Sequence, residues 1–202
     1  MQARCSSGVC KGALRLLSLF GDMTLVNRCA AIIAALLPMG GWAAGSAMTL
    51  TSPAFAHNAA IPRAYTCQGA DTSVPLAWSG VPPGAKSLVL IVDDPDAPDP
   101  KSPQVIWVHW LLYNIPPSSF GLKQGVSAKD LLPGTRTGLN DWKRAGYGGP
   151  CPPVGRHRYF HKLYALDTLL QTRAGADKAA VEKAMAGHVL AQAELIGTYQ
   201  QD

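Results

Sequence analysis

Three long apolar runs limit the folds that are open to this chain of 202 residues. Residues 87–94, SLVLIVDD, are continuously apolar before their acids, which is typical of a strand buried on both faces. Residues 105–115 and 157–167 are rich in aromatic and β-branched residues, a composition that favours central strands. We therefore expect a mainly β fold, in the β-rich α+β class.

The alternation of side chains along a strand assigns faces to two of these runs. In the strand at 105–115, we expect one face to carry Trp107, His109 and Leu111, and the other to carry Val108, Trp110 and Leu112. In the strand at 157–167, we expect one face to carry His157 and Tyr159, and the other to carry Arg158, Phe160 and Lys162.

The rest of the mature sequence predicts short strands, turns and one helix. Its Gly and Pro residues are spread over many separate turns, which favours a turn-rich β domain over a low-complexity segment. Residues 177–199 carry Val181, Met185, Val189 or Leu190, and Ile196 near helical spacing. We therefore expect a C-terminal helix that Gly187 and Gly197 weaken or end. No repeat or long linker divides residues 48–202, and we expect a single domain there.

Residues 1–47 are interpreted as a leader. Within residues 23–47, Arg28 precedes a short apolar stretch that ends in small residues, which is the pattern of a cleaved secretory signal. The apolar stretch is shorter than a membrane-spanning helix requires, and Met23 is a better-placed start than the first methionine. We expect a periplasmic or secreted protein, with a longer amphipathic leader or an uncleaved membrane tether as the alternatives.

Removal of this leader would leave only two of the five cysteines, Cys67 and Cys151. An exported chain with two remaining cysteines is a natural candidate for one disulfide, and two buried free thiols are the alternative. Neither cysteine has the spacing of a metal ligand, so we expect no metal site. Most of the net charge of +5 lies in the leader, which leaves no electrostatic case for nucleic acid.

Three segments concentrate polar side chains at predicted strand ends: DDPDAP at 93–98, WVHW at 107–110 and YGGPCPPVGRHRY at 147–159. Taken singly, each has a simple structural explanation. An Asp-Pro-Asp turn is more often a solvated strand end, a lone His or Tyr on such a strand is more often a core residue, and Arg158 is more often a salt-bridge partner.

Together, these segments resemble the phosphatidylethanolamine-binding family, in its bacterial Raf kinase inhibitor-like branch, over nearly all of residues 48–202. The resemblance implies two antiparallel sheets, a few peripheral helices, no cofactor and an anion pocket that takes phosphate-like groups, phospholipid head groups included. It also implies a possible kinase or protease partner and leaves the oligomeric state open, a homodimer included. Carried over position by position, the pocket residues are Asp94, Asp96, Ala97, Pro98, Trp107, His109, Tyr147, Gly149, Cys151, Pro152, His157 and Tyr159.

Carboxylates repel an anion, so an anion pocket with two aspartates requires that they accept hydrogen bonds from histidine rings or backbone N–H groups. A carboxylate behind His109 or His157 would favour the imidazolium form, and we then expect phosphate binding to weaken as the pH rises. Glycines of the 148–155 loop would supply backbone donors.

A non-enzymatic binding or inhibitor protein is therefore the favoured function. The alternative is a hydrolase or metal-dependent enzyme that uses Asp94, Asp96, His109 and His157. The sequence contains neither a GxSxG nor an HExxH motif that would supply such an enzyme with a nucleophile or a metal.

Overall fold

The computed structural model describes residues 47–173 and 175–202; the expected leader lies outside these residues apart from Ala47. Within them the chain forms two antiparallel sheets and one α-helix, so the expectation of a mainly β fold is confirmed. In chain order the elements are β1 Thr49–Thr51, β2 Leu76–Ser79, β3 Ser87–Ala97, β4 Val105–Ile115, β5 Gly121–Leu122, β6 Arg136–Thr137, β7 His157–Leu166, α1 Lys178–Met185 and β8 Val189–Tyr199, with single turns of 3-10 helix at Arg63–Tyr65 and Ala128–Asp130.

The larger sheet has the strand order β6-β4-β3-β7-β8, and the smaller sheet has the order β1-β2-β5. Strand β3 lies at the centre of the larger sheet, and both of its faces are buried as its apolar sequence predicts. Leu88 and Leu90 pack with Trp78 of the smaller sheet, whereas Val89 and Ile91 pack in a second core that includes residues of α1. The three layers are therefore the small sheet, the large sheet and the helix.

The prediction for the end of the chain is partly wrong, because the helix ends at Met185 and the chain continues as β8. Gly187 has a φ of 82°, a left-handed conformation that reverses the chain after the helix. Strand β8 then pairs with β7 along almost its whole length. Val189 and Leu190, expected near the apolar stripe of a longer helix, are each 45% exposed. Only one α-helix is present among the described residues, where a few were expected.

The faces predicted for β7 are confirmed, since His157 and Tyr159 are buried whereas Arg158 is exposed. The faces predicted for β4 are wrong at one point. Trp110 pairs with Val92 and Val108 pairs with Asp93, so one extra residue, His109, is inserted into β4 at a register shift. A bulge of this kind breaks strict alternation.

The bulge separates residues that the alternation had placed together. Trp110 packs in the core between the sheets, whereas Val108 packs with Leu111 in the core on the helix side. His109 does not share the environment of Leu111, because its ring contacts Tyr159 at a centroid distance of 5.1 Å. The bulge therefore directs His109 toward one end of the large sheet. Among the described residues, no helix is long and apolar enough to cross a membrane.

Candidate functional site

A cavity of about 550 Å³ lies at the end of β3 and at the starts of β4 and β7, together with the loops next to these strand ends. Most of the residues expected to form a pocket line it. These are Asp94, Ala97, Pro98, Trp107, His109, Gly149, Cys151, Pro152, His157 and Tyr159. The lining also contains Cys67, Asp71, Gln104, Val105, Trp142, Arg144 and Pro153, which the sequence analysis did not assign to a pocket.

Asp96 and Tyr147 were expected in the pocket but are not among its lining residues. Asp96 turns toward the neighbouring strand, where its carboxylate accepts hydrogen bonds from the Arg158 guanidinium at 2.7 and 2.9 Å. These bonds hold the pKa of Asp96 below its ordinary value. Tyr147 donates its hydroxyl hydrogen to the carbonyl of Tyr65 at 2.8 Å, and burial raises its pKa. Both residues therefore stabilise the frame around the cavity.

Asp94 is buried, and each of its carboxylate oxygens has a hydrogen-bond partner inside the protein. This is the arrangement expected of an aspartate in an anion pocket. Its Oδ1 accepts from the backbone N–H of Asp96 at 2.8 Å, and its Oδ2 lies 2.7 Å from Nδ1 of His157. A solvated strand end, the simple explanation for the Asp-Pro-Asp turn, is excluded because Asp94 is 3% exposed.

His157 was expected to donate to an anion, and the structure contradicts this. Its Nδ1 faces the Asp94 carboxylate and its Nε2 lies 3.0 Å from the carbonyl oxygen of Val154. Both ring nitrogens therefore face acceptors inside the protein. His157 holds Asp94 and the loop at Val154 in place.

Two of the backbone donors expected from the glycine-rich loop, those of Gly148 and Gly149, are used internally. The N–H of Gly148 donates to the carbonyl of His109 at 3.0 Å, and the N–H of Gly149 donates to Oδ1 of Asp71 at 2.6 Å. Gly149 is required here because a Cβ would lie 2.5 Å from the carbonyl oxygen of Tyr65. The first bond fixes the loop against β4 and the second fixes it against the segment that carries Asp71.

One ring nitrogen of His109 has no hydrogen-bond partner among the described residues. Its Nδ1 donates to the carbonyl of Gly148 at 2.7 Å, and Nε2 is the nitrogen without a partner. We expected a nearby carboxylate to raise its pKa, but burial is the larger effect and lowers the pKa of His109 below its ordinary value. The neutral ring with its hydrogen on Nδ1 is thus the favoured form, and its Nε2 accepts hydrogen bonds.

Two buried donors, in residues that line the cavity, have no partner among the described residues. They are the hydroxyl of Tyr159 and the indole Nε1–H of Trp107. Tyr159 is 1% exposed, and burial raises its pKa, so its hydroxyl stays protonated and able to donate. Buried polar groups are normally hydrogen-bonded, so these two donors are exceptions in the wall of the cavity.

Trp142 and Arg144 form the part of the mouth that sequence reasoning missed. The Trp142 ring makes edge contacts with Trp107 at 5.4 Å and with His109 at 5.1 Å, and the Arg144 guanidinium lies 5.5 Å from the Trp142 ring. Arg144 also lies 3.9 Å from Asp71. The sequence signal that could have identified this part of the mouth is a tryptophan two residues before an arginine, just ahead of the glycine-rich segment.

Cys67 and Cys151 are joined by a disulfide at the edge of the cavity, with their Cα atoms 5.4 Å apart. The backbone N–H of Cys67 also donates to the carbonyl of Pro150 at 3.1 Å. The structure therefore ties the two segments that carry these cysteines by both a covalent and a hydrogen bond.

The enzyme alternative finds no support in this geometry. Asp96 is paired with Arg158 away from the cavity, and Asp94 with His157 within it. In the part of the chain that the structure describes, no three His, Cys, Asp or Glu side chains form a group that could hold a metal ion.

Comparison with known proteins gives concordant results. Residues 51–200 match the family model described as "Phosphatidylethanolamine-binding protein". A UPF0098 protein of Methanothermobacter thermautotrophicus is 52% identical over 155 residues, which cover 76% of this chain and 99% of the relative. A UPF0098 protein of Chlamydia trachomatis is 44% identical over 155 residues, covering 77% of this chain and all of the relative.

Two solved structures resemble this one. A phosphatidylethanolamine-binding protein homolog from Chlamydia trachomatis has a TM-score of 0.71 and 45% identity, covering 77% of this chain and 99% of its own. E. coli YbcL, described as a new member of the mammalian PEBP family, has a TM-score of 0.69 and 32% identity. The match covers 77% of this chain and 99% of YbcL. This chain therefore belongs to the phosphatidylethanolamine-binding protein family.

Proposed function

We propose that this chain is a binding protein, without catalytic activity, whose cavity takes a small ligand through a phosphate-like anionic group. The observation that carries the proposal is the buried hydroxyl of Tyr159, which has no partner among the described residues and belongs to a residue that lines the cavity. A buried donor without an acceptor costs about 1–3 kcal/mol, so a ligand oxygen that accepts from it recovers much of that energy.

The surrounding groups support an anion over other ligands. The free indole N–H of Trp107 is a second donor, and the Arg144 guanidinium, with 57% of its side chain exposed, can reach over the mouth. The Asp94 carboxylate does not oppose the anion, because it already accepts two hydrogen bonds and is balanced by His157. The volume of about 550 Å³ is in the range of small-molecule sites.

The test is a titration of the protein with inorganic phosphate, followed by NMR on the indole N–H signals of Trp107 and Trp142. Both signals should shift with a common saturation curve. Tyr159→Phe removes the free hydroxyl and should weaken phosphate binding by about tenfold.

The matched control is Tyr113→Phe, the same chemical change in the core on the helix side, where the hydroxyl donates to the carbonyl of Arg173 at 3.4 Å. This variant should bind phosphate as the wild type does. The proposal is wrong if wild-type indole signals do not respond to phosphate, or if Tyr159→Phe binds as tightly as the wild type.

A further inference from the structure

Strand β8 forms one edge of the larger sheet, and part of its outer edge is open. Near the end of β8 this edge is paired, because the N–H of Asn58 donates to the carbonyl of Ile196 at 2.7 Å. The N–H of Ile61 likewise donates to the carbonyl of Thr198 at 2.8 Å. Along residues 191–195, no described segment pairs with the outer edge. The same edge thus holds an extended chain at one end and is free in the middle.

Alternation along the strand identifies the free backbone groups. Ile196 and Thr198 direct their backbone carbonyls outward, so Gln192 and Glu194 direct theirs outward as well, together with their N–H groups. The pairing of β8 with β7 is regular from Ala191 to the end of the strand, so the alternation holds over this stretch. Donors and acceptors therefore alternate along the open edge at the spacing that another extended strand matches.

We propose that the open edge of residues 191–195 pairs antiparallel with the same edge of a second copy of this chain, so that two five-stranded sheets join into one continuous sheet. A contact between identical surfaces is centred on a two-fold axis, which passes here beside Ala193. Gln192 of each copy then lies opposite Glu194 of the other, and every outward N–H of this stretch donates to a carbonyl of the second copy. No residue of β8 lines the cavity, so this inference does not depend on the proposed function.

The side chains of this stretch suit a contact with a second copy. Gln192 and Glu194 are exposed, and in the antiparallel pair the amide of one copy can donate to the carboxylate of the other on both sides of the axis. The two Glu194 carboxylates are not directly opposite each other, so the pairing avoids the like-charge contact that destabilises cross-strand pairs. On the other face, Ala191 and Ala193 are small and pack against the core between the sheets. No bulky side chain therefore holds the two edges apart.

The open edge also lacks the features that normally prevent strand pairing between molecules, which are a proline, a lysine or a bulge. Residues 191–195 read AQAEL, and the register shift of β8 lies before them. Val189 and Leu190, each 45% exposed, adjoin the open edge and would lie beside the chain of the second copy. The paired stretch is short, so the dimer should be weak and dissociate on dilution, between about 1 mM and about 10 µM.

The test on the wild type combines sedimentation with amide hydrogen exchange of the exported protein at about 10 µM and about 1 mM. The protein should be mainly monomeric at the lower concentration and mainly dimeric at the higher one. The N–H groups of Gln192 and Glu194 should exchange several-fold more slowly in the dimer, whereas the N–H of Ala193, which faces β7, should change little. A wild type that stays monomeric at about 1 mM would overturn the inference, and so would a dimer in which the amides of Gln192 and Glu194 are not slowed.

Two pairs of variants test the same contact. Gln192→Pro removes an outward N–H and no bond to β7, so it should be monomeric at about 1 mM, whereas the matched control Gln192→Ala keeps the N–H and should still dimerise. Ala193→Cys places two thiols across the axis and should form a disulfide between copies under a mild oxidant, whereas Val154→Cys, an exposed position in the cavity loop, should not. Equal dimerisation of the Pro and Ala variants, or equal cross-linking of the two Cys variants, would refute the inference. If Gln192→Pro does not fold, the cross-linking and the wild-type exchange still decide.

Discussion

Acidification should destabilise this protein through His161, a buried histidine behind the cavity. His161 is 1% exposed, its ring packs against Phe55 at 5.6 Å, and its Nδ1 lies 3.3 Å from the carbonyl oxygen of Tyr159. Burial lowers the pKa of His161 to about 4. The folded protein therefore keeps this ring neutral at pH values where the unfolded chain protonates it.

The size and sign of the effect follow from this difference in pKa. A histidine in an unfolded chain has a pKa of about 6.5, so the unfolded state binds more protons as the pH falls below that value. The free energy of unfolding should then decrease from about pH 6.5 downward, until the folded protein also gains the proton at about pH 4. At about pH 4.5 the loss from His161 comes to about 2.5 kcal/mol.

The assay is urea unfolding at about pH 7 and about pH 4.5 in the wild type and in His161→Gln. Glutamine stays neutral and can still donate to the carbonyl of Tyr159, so this variant should lose about 2.5 kcal/mol less on acidification than the wild type. The control is His57→Gln, which removes an exposed imidazole and should retain the wild-type loss. Equal losses in the wild type and His161→Gln would refute the argument from burial.

Two further predictions concern the mature chain. A Cys67–Cys151 disulfide closes a loop with a sequence separation of 84 residues and should stabilise the fold by about 4 kcal/mol in the loop-entropy model, so reduction should lower the urea midpoint. Thiol labelling of the denatured, unreduced mature protein should find no free thiol, and two reactive thiols per chain would contradict the bridge. The exported protein should begin near Met48, which its intact mass checks; a mass that retains residues 23–47 would indicate a membrane tether.

The sequence predicted the central strands well because their signal is local. The apolar run of β3 has no polar position before Asp93, and a strand with both faces buried is the arrangement that accommodates it. In β7 the alternation of buried and exposed residues persists from His157 to Leu163, and it predicted which side chains face the cavity.

The end of the chain was misassigned because its composition favours a helix and its partner is distant in sequence. Residues 189–199 contain Ala, Gln, Glu and Leu, all good helix formers. The pairing of β8 with the whole of β7 outweighs this propensity. The paired residues, from Leu166 with Val189 to His157 with Tyr199, are far apart in the sequence, so no local pattern predicts the pairing.

The position of His109 shows a second limit of the same kind. A bulge is defined by how two strands pair, and the extra residue in β4 exists only relative to β3. Strict alternation predicted that His109 would share a face with Leu111, whereas the bulge turns His109 to the cavity. The hydrogen-bond roles of the two histidines were equally hidden, because His109 bonds to the carbonyl oxygen of Gly148 and His157 to the carboxylate of Asp94, both distant in sequence.

These roles explain how a cavity bordered by aspartates can be suited to an anion. Asp94 lies against His157 and Asp71 lies close to Arg144, so each of the two aspartates that line the cavity has a basic partner. If an anion binds as proposed, it should be held mainly by hydrogen-bond donors in fixed positions. Such binding should depend less on salt than binding by long-range electrostatic attraction does.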